Sequence, residues 1–342
     1  MDKVDIKGLT PEELRKHLAE LGEPGFRAGQ VFAWLHQKGE TDFHRFSDIP
    51  KALQEKLDGR FFAVKLKLEE RLASRDGTQK FLFSLSDGSF IETVHIPSAR
   101  RGTVCVSTQV GCKFGCAFCA SGFRGFSRHL AASEIVSQVL VLRHELGLHV
   151  SHVVFMGMGE PLDNYDQVSR AVRLLNAGPG TNIAARRMTI STSGLVPGIE
   201  SLKSLGLQVE LSLSLHAAGD DLRSRLLPIN RTYPLSRLIP ALKDFSRTTG
   251  RKVTLEYVLI SGVNDSLPDA DSLARLAKDL KAKVNLIPFS DVGAPAFKPS
   301  PPERVEAFRA RLEQKNVSVT LRRSKGGDIR AACGQLAGRR RA

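Results

Sequence analysis

From residue 103 onward the chain has a regular rhythm. Short apolar, β-branched runs at 103–108, 152–158, 188–193, 208–216, 252–260 and 283–289, with a further one at 317–323, alternate with helical stretches. Parallel strands need a long crossover between them, and a helix is the usual one. Ile135, Val139, Leu142 and Leu146 make one such apolar helical face. The alternation therefore points to an α/β fold built on a parallel sheet, as an open or partial barrel. In such sheets chemistry gathers at the carboxyl ends of the strands.

The 342 residues hold that barrel and leave room for an appendage. Residues 1–60 read as a small helical unit. Thr10-Pro11-Glu12-Glu13 supplies a cap, a proline at the first helical position and a glutamate at the third. Leu14, Leu18 and Leu21 follow at helical spacing, Gly22-Glu23-Pro24-Gly25 stops the helix, and a second helix is expected around 30–38. Residues 61–100 switch to a strand period, where Lys80-Phe-Leu-Phe-Ser-Leu and Phe90-Ile-Glu-Thr-Val-His-Ile flank Ser86-Asp87-Gly88 as a hairpin extension. The barrel then occupies 101–324 and a C-terminal segment 325–342, which ends in Arg339-Arg340-Arg341.

Fifty Lys and Arg against 36 Asp and Glu leave a net charge of +14, which favours a polyanionic partner such as nucleic acid. Met1-Asp2-Lys3-Val4-Asp5 is mixed in sign and no apolar run reaches membrane-spanning length, so a cytoplasmic protein without membrane association is expected. Five cysteines, an odd number in a reducing compartment, read as ligands or reactive thiols rather than structural disulfides.

Three of the five lie in Gly111-Cys112-Lys-Phe-Gly-Cys116-Ala-Phe-Cys119-Ala-Ser-Gly122, just after the first barrel strand. Gaps of three and two residues let one loop wrap three irons of a cubane, with glycines admitting the backbone close to the inorganic sulfurs. Three thiolates leave the fourth iron open to the amino and carboxylate groups of S-adenosylmethionine. Structural zinc needs a fourth closed ligand, for which His129 is a candidate, but the loop and barrel context favours the cluster.

This motif resembles the radical S-adenosylmethionine superfamily. The resemblance sharpens to the ribosomal RNA adenine C2-methyltransferases, dual-specificity enzymes that also act on transfer RNA. It runs from Gly25-Phe26-Arg27-Ala28-Gly29-Gln30 to Ala331-Ala332-Cys333-Gly334-Gln335-Leu336. It passes through Ile91-Glu92-Thr93-Val94, Arg101-Gly-Thr-Val-Cys105-Val-Ser-Thr-Gln109, Phe155-Met-Gly-Met-Gly-Glu-Pro-Leu162 and Asn285-Leu-Ile-Pro-Phe289.

The resemblance implies a (β/α)6 partial barrel and one [4Fe–4S] cluster on Cys112, Cys116 and Cys119. It implies two molecules of S-adenosylmethionine per turnover, held by Gly159, Glu160, Ser191, Ser214, Leu215, His216 and Asn285. Cys333, in a glycine-flanked segment able to fold over a barrel mouth, matches the cysteine that is methylated, and Cys105 the second essential one. Carbon 2 of adenine is electron-poor and does not attack a sulfonium methyl. The implied path therefore methylates Cys333, abstracts hydrogen from that methyl with a 5′-deoxyadenosyl radical, and adds the methylene radical to the base. Cys105 then forms a disulfide with Cys333 and releases the product. Glu92 is the matched base for the ring proton, with Cys105 as the other, although a hairpin carboxylate is on local pattern alone a solvated one.

Implied partners are 23S ribosomal RNA, free or in an assembly precursor, transfer RNA, and an electron donor such as flavodoxin, with the enzyme a monomer. The N-terminal helical unit, Arg100-Arg101, Arg124, Arg186-Arg187 and Arg322-Arg323 are candidate phosphate contacts. Glu160-Pro161-Leu162 resembles the C2 enzymes, where resistance-type relatives that methylate carbon 8 have alanine after the glutamate. A non-catalytic RNA-binding assembly factor with a structural cluster is the other alternative, but such a cluster has no use for Cys105 and Cys333.

Overall fold

The computed structural model describes residues 3–293, 297–322 and 325–338, with the side chain of Arg124 outside that description. The helical unit forms as the capping signals require. Strand β1 (Val4–Asp5) leads into helix α1 (Pro11–Glu20), whose cap Thr10 accepts from the Glu13 N–H while Glu13 accepts from the Thr10 N–H. Helix α2 spans Phe26–His36. It starts four residues ahead of the expected 30 because Pro24-Gly25 already makes the turn, and Ala28, Val31, Phe32 and Leu35 then face inward. Helix α3 (Lys51–Arg60) and strand β2 (Phe61–Phe62) close the unit, with β2 parallel to β1. Lys7 ties it to the rest: its Nζ donates to the Val64 carbonyl at 2.6 Å and to Ser137 Oγ at 3.1 Å.

Strands β3 (Lys67–Ala73), β4 (Gln79–Ser84), β5 (Phe90–Ser98) and β6 (Arg101–Cys105) form an antiparallel meander, with the expected hairpin between β4 and β5. A small ribbon of β7 (Gln109–Gly111) and β8 (Phe126–His129) brackets the cysteine loop. Helix α4 (Ala132–Leu140) buries Ile135 and Val139 and loosens into a wider turn over Val141–Glu145, which carries Leu142 inward and leaves Leu146 half-buried.

The barrel follows as β9 (His152–Phe155), α5 (Tyr165–Asn176), β10 (Met188–Thr192), α6 (Val196–Leu202), β11 (Glu210–Ser214), α7 (Asp220–Leu226), α8 (Leu235–Thr249), β12 (Thr254–Leu259), α9 (Leu267–Asp279), β13 (Lys283–Pro288), α10 (Pro302–Gln314) and β14 (Val319–Leu321). One open sheet runs in the order β14-β13-β12-β11-β10-β9-β6-β5-β4-β3, parallel from β14 to β6 and antiparallel beyond. The hairpin extension is thus the edge of the barrel sheet itself. Strand β6 begins two residues ahead of its expected 103, where it pairs with the end of β5, and the other barrel strands lie within their expected ranges. All end one to three residues earlier than expected, because the chain leaves the ladder to form the loops of the site. No described helix is long and apolar enough to cross a membrane.

Candidate active site

At the carboxyl ends of the strands one pocket is lined by Cys112, Cys116 and Cys119, by Gly159, Glu160, Ser191, Ser214 and His216, and by Glu256, Arg322 and Cys333. The cysteine loop is pinned on several sides: the Cys112 N–H donates to the Gly125 carbonyl at 2.9 Å and the Ala117 N–H to the Leu226 carbonyl at 3.0 Å. Burial pushes the Cys112 thiol up to about 12 and raises Cys116 and Cys119 too, with the neighbouring thiols adding to the shift at Cys112 and Cys116. Three thiols held together in that environment become thiolates only with cations to bind them, and soft iron in a cubane suits the set. Among the described residues, no three His, Cys, Asp or Glu side chains converge as they would on a single ion. His129 is exposed on β8, its Nδ1 3.0 Å from Gln109 Nε2, and is not part of the pocket wall.

Gly159 has φ 100°, and a Cβ there would lie 2.6 Å from that of Gln109, so the strand-to-loop turn demands glycine. Glu160 beside it is buried, and burial raises its carboxyl. Its Oε2 accepts from the Ser193 N–H and Oγ, both at 2.8 Å, and its Oε1 from the Leu162 N–H at 3.2 Å. Glu160 thus braces the turn while Oε1 keeps a lone pair for a ligand amine. Arg223, fully buried, donates to the carbonyls of Ser193 (2.6 Å) and Ser214 (3.3 Å) and fastens the ends of β10 and β11 together. His216 adopts φ 58°, and its Nδ1 accepts the Val258 N–H at 3.0 Å. Burial lowers it to about 3, so the ring is neutral.

The C-terminal segment crosses the pocket mouth. Its Gly334 carbonyl accepts the Ala120 N–H at 2.7 Å, and its Leu336 carbonyl accepts Ser121 Oγ at 2.7 Å. Gly334 has φ 84° and a Cβ there would sit 2.9 Å from the Phe118 carbonyl, so only glycine lets the segment lie this close to the cysteine loop. Cys333 is exposed on this segment while also lining the pocket. Cys105 lies buried behind it, packed with Val94, Met158, Ile329, Ala331 and Leu336. Burial and the neighbouring Cys333 push the Cys105 thiol up to about 12.

Residues 106–281 match the Radical SAM superfamily, and residues 4–62 match the ribosomal RNA large subunit methyltransferase N-terminal domain. The chain is 47% identical, over 98% of its length and 91% of the relative's, to a probable dual-specificity RNA methyltransferase RlmN of Symbiobacterium thermophilum. It is 45% identical to the one of Moorella thermoacetica, covering 98% of this chain and 97% of the relative. The chain belongs to the RlmN family. A crystal structure of a radical SAM methyltransferase from Sphaerobacter thermophilus superposes with a TM-score of 0.93 at 44% identity, covering 98% of this chain and all of that one.

In this RlmN family member, most residues implied by the resemblance come together and four stand apart from the pocket wall. Leu215 is wholly buried in the main core, and Asn285 reaches the pocket only through its bond to Glu256. Cys105 lies one layer behind Cys333. Glu92 is 4% exposed, against the solvated carboxylate that the hairpin pattern alone suggests. It pairs with Lys80 Nζ at 2.8 Å and accepts the N–H groups of Ala337 (2.5 Å) and Gly338 (3.0 Å), while Lys80 also donates to the Arg330 carbonyl at 3.1 Å.

The arginine candidates divide. Arg100-Arg101 and Arg186-Arg187 are exposed at the amino ends of β6 and β10, the opposite end of the barrel from the pocket. They are therefore not neighbours of a base bound there. Arg322 turns into the pocket rather than to solvent, with Nη1 3.8 Å from Met156 Sδ, and Arg323 and Arg339-Arg340-Arg341 lie outside the described residues.

The Lys80–Glu92 pair gives a direct test of how the segment is held. Lys80→Met strands the buried Glu92 carboxylate without its cation, at a cost of about 3 kcal/mol. The thermal midpoint should fall by roughly 5 °C, and limited proteolysis should cut the chain after residue 325. An unchanged midpoint and digestion pattern would show that the pair does not hold the segment.

Proposed function

We infer that this protein methylates carbon 2 of an adenosine in 23S ribosomal RNA and in transfer RNA, as an S-adenosylmethionine-dependent radical enzyme using Cys333 as methyl carrier. The observation that carries the reading is the position of Cys333, on a strap bonded to the Cys112–Cys119 loop and lining the pocket that the loop lines. A thiol so placed is reached both by a methyl donor in the pocket and by a base entering the mouth.

Chemistry beyond these side chains would come from a bound [4Fe–4S] cluster, which when reduced would supply the electron that splits S-adenosylmethionine into methionine and the 5′-deoxyadenosyl radical. Cys112, Cys116 and Cys119 hold it, and Gly159, Glu160, Ser191, Ser214, His216 and, through Glu256, Asn285 hold the cosubstrate. Cys333 takes the methyl group of one S-adenosylmethionine, leaving S-adenosylhomocysteine. Arg322, whose guanidinium the Cys333 thiol holds above its ordinary value, offers positive charge to that thiol as it ionises. Cys105, sealed from water behind the segment, then attacks the Cys333 sulfur of the RNA adduct. The S–S bond forms as the sulfur–methylene bond breaks, the methylene carbon takes up a proton to become the product methyl, and a dithiol reductant restores both cysteines for the next turnover. Glu92 is the acceptor for the ring proton once the Ala337 and Gly338 amides leave its Oε2, with Cys105 as the other candidate. The enzyme acts as a cytoplasmic monomer and draws electrons from a donor such as flavodoxin.

Anaerobic incubation with protein-free 23S RNA or transfer RNA, S-adenosylmethionine and a reductant should yield 2-methyladenosine on digestion and mass spectrometry. Finding only 8-methyladenosine would move the protein to the carbon 8 group. RNA binding without any methylated nucleoside would favour the assembly factor.

A further inference from the structure

One acidic side chain in the pocket, Glu256, enters the reading above only as the partner of Asn285. On β12, Leu255, Tyr257 and Leu259 pack into the main core, the Tyr257 ring 5.5 Å from that of Phe308, while Glu256 and Val258 line the pocket. Strand register sets Ser214, Glu256 and Asn285 side by side on β11, β12 and β13. Residues paired across parallel strands share a face, so these three form one polar row across the barrel wall. Glu256 stands between two residues assigned to the cosubstrate.

Its two oxygens are treated differently. Oε1 accepts from Ser212 Oγ at 3.1 Å and from Asn285 Nδ2 at 3.1 Å. Oε2 is buried with no hydrogen-bond partner, in a residue only 4% exposed. Buried carboxylate oxygens are normally satisfied, and an orphaned one facing a pocket marks where a ligand donor belongs. Burial also raises the carboxyl, and Arg322 across the same pocket opposes that shift without touching it. The site therefore suits an uncharged O–H donor, which satisfies the oxygen without burying a second ion.

We propose that Glu256 binds the nucleoside half of S-adenosylmethionine, its Oε2 accepting a ribose hydroxyl while its Oε1 orients the Asn285 amide. This rests on the pocket being the S-adenosylmethionine site. With the ammonium of the cosubstrate drawn to Glu160 at the cysteine end, the ribose hydroxyls are the O–H donors left for a row that includes Ser214. One carboxylate thus sets both the sugar and the neighbouring amide.

The test is a binding cycle on the cluster-loaded protein under anaerobic conditions, using equilibrium dialysis with S-adenosylmethionine and its 2′-deoxy and 3′-deoxy analogues. For the wild type, removing the contacted hydroxyl should weaken binding roughly tenfold or more. Glu256→Gln should weaken S-adenosylmethionine by a similar factor yet discriminate against the same analogue less than threefold, with iron content and the visible spectrum unchanged. A merely structural role would lower affinity for all three ligands in proportion, and that additivity overturns the proposal. So does a wild type indifferent to both hydroxyls. Failure of the wild type to bind S-adenosylmethionine at all would instead overturn the reading of the pocket, and the proposal with it.

Discussion

Replacing Cys112, Cys116 and Cys119 together by alanine should take the anaerobically purified protein from brown to colourless, with bound iron falling from about four per chain to none. Cleavage of S-adenosylmethionine should vanish with the colour. The loss is expected to be total, because the three thiols line one pocket and a cubane cannot be held by the single thiol, Cys333, that remains on its wall. The fold should survive, since the packed core of helices and strands lies away from the loop, and an unchanged circular dichroism spectrum would confirm that the variant is folded. Iron retained at the wild-type level would refute the ligand assignment.

The second large effect separates Cys105 from Cys333. Cys333→Ala should keep the cluster but give neither methylated cysteine nor methylated RNA. Cys105→Ala should still accept a methyl on Cys333 and add it to the base, then stall with RNA attached, because the other thiols near the segment, those of the Cys112–Cys119 loop, are committed to the cluster. A denaturing gel should show an RNA–protein band that ribonuclease trims to a modified peptide at Cys333. Cys105 lies in an apolar cluster and is nearly enclosed, so alanine there removes the thiol with little cost to the segment's path. Normal turnover by either variant would refute the two-thiol scheme, whereas a missing adduct with Cys105→Ala would refute the resolving role alone.

Much of this was legible from periodicity. The alternation after residue 103 located every barrel strand, because a buried parallel strand flanked by turn residues leaves a compact apolar run. Thr10-Pro11 marked the first helix because capping is a local matter. Glu92 was not legible in the same way. The stretch Ile91-Glu92-Thr93-Val94-His95 is buried on both faces. Helix α4 covers one side, where Thr93 Oγ1 donates to Gln138 Oε1 at 2.8 Å, and the C-terminal segment covers the other. That second cover comes from the far end of the chain, and no hairpin pattern announces it. Arg322 was less legible for a related reason: an Arg-Arg pair looks like surface, yet Arg322 lines the pocket. Glu256 did leave a signal, as a carboxylate in the apolar run Thr254-Leu-Glu-Tyr-Val-Leu259, where an inward charge has to serve something.

The meander at the sheet edge acts as a length gauge with almost no slack. Ser98 pairs with Arg101 across a two-residue turn, and the same ladder sets Val94 opposite Cys105. Adding one residue at Ala99–Arg100 would exchange the faces of β6, turning Cys105 toward the helices and Val104 toward the C-terminal segment. The preceding turns are equally committed: Asp76 Oδ2 accepts the Gly326 N–H at 3.0 Å, and the β4–β5 register brings Lys80 diagonal to Glu92. Exposed hairpin tips ordinarily absorb insertions freely. Here they measure out where both thiols and the strap must meet, so changes of length at these tips are costly.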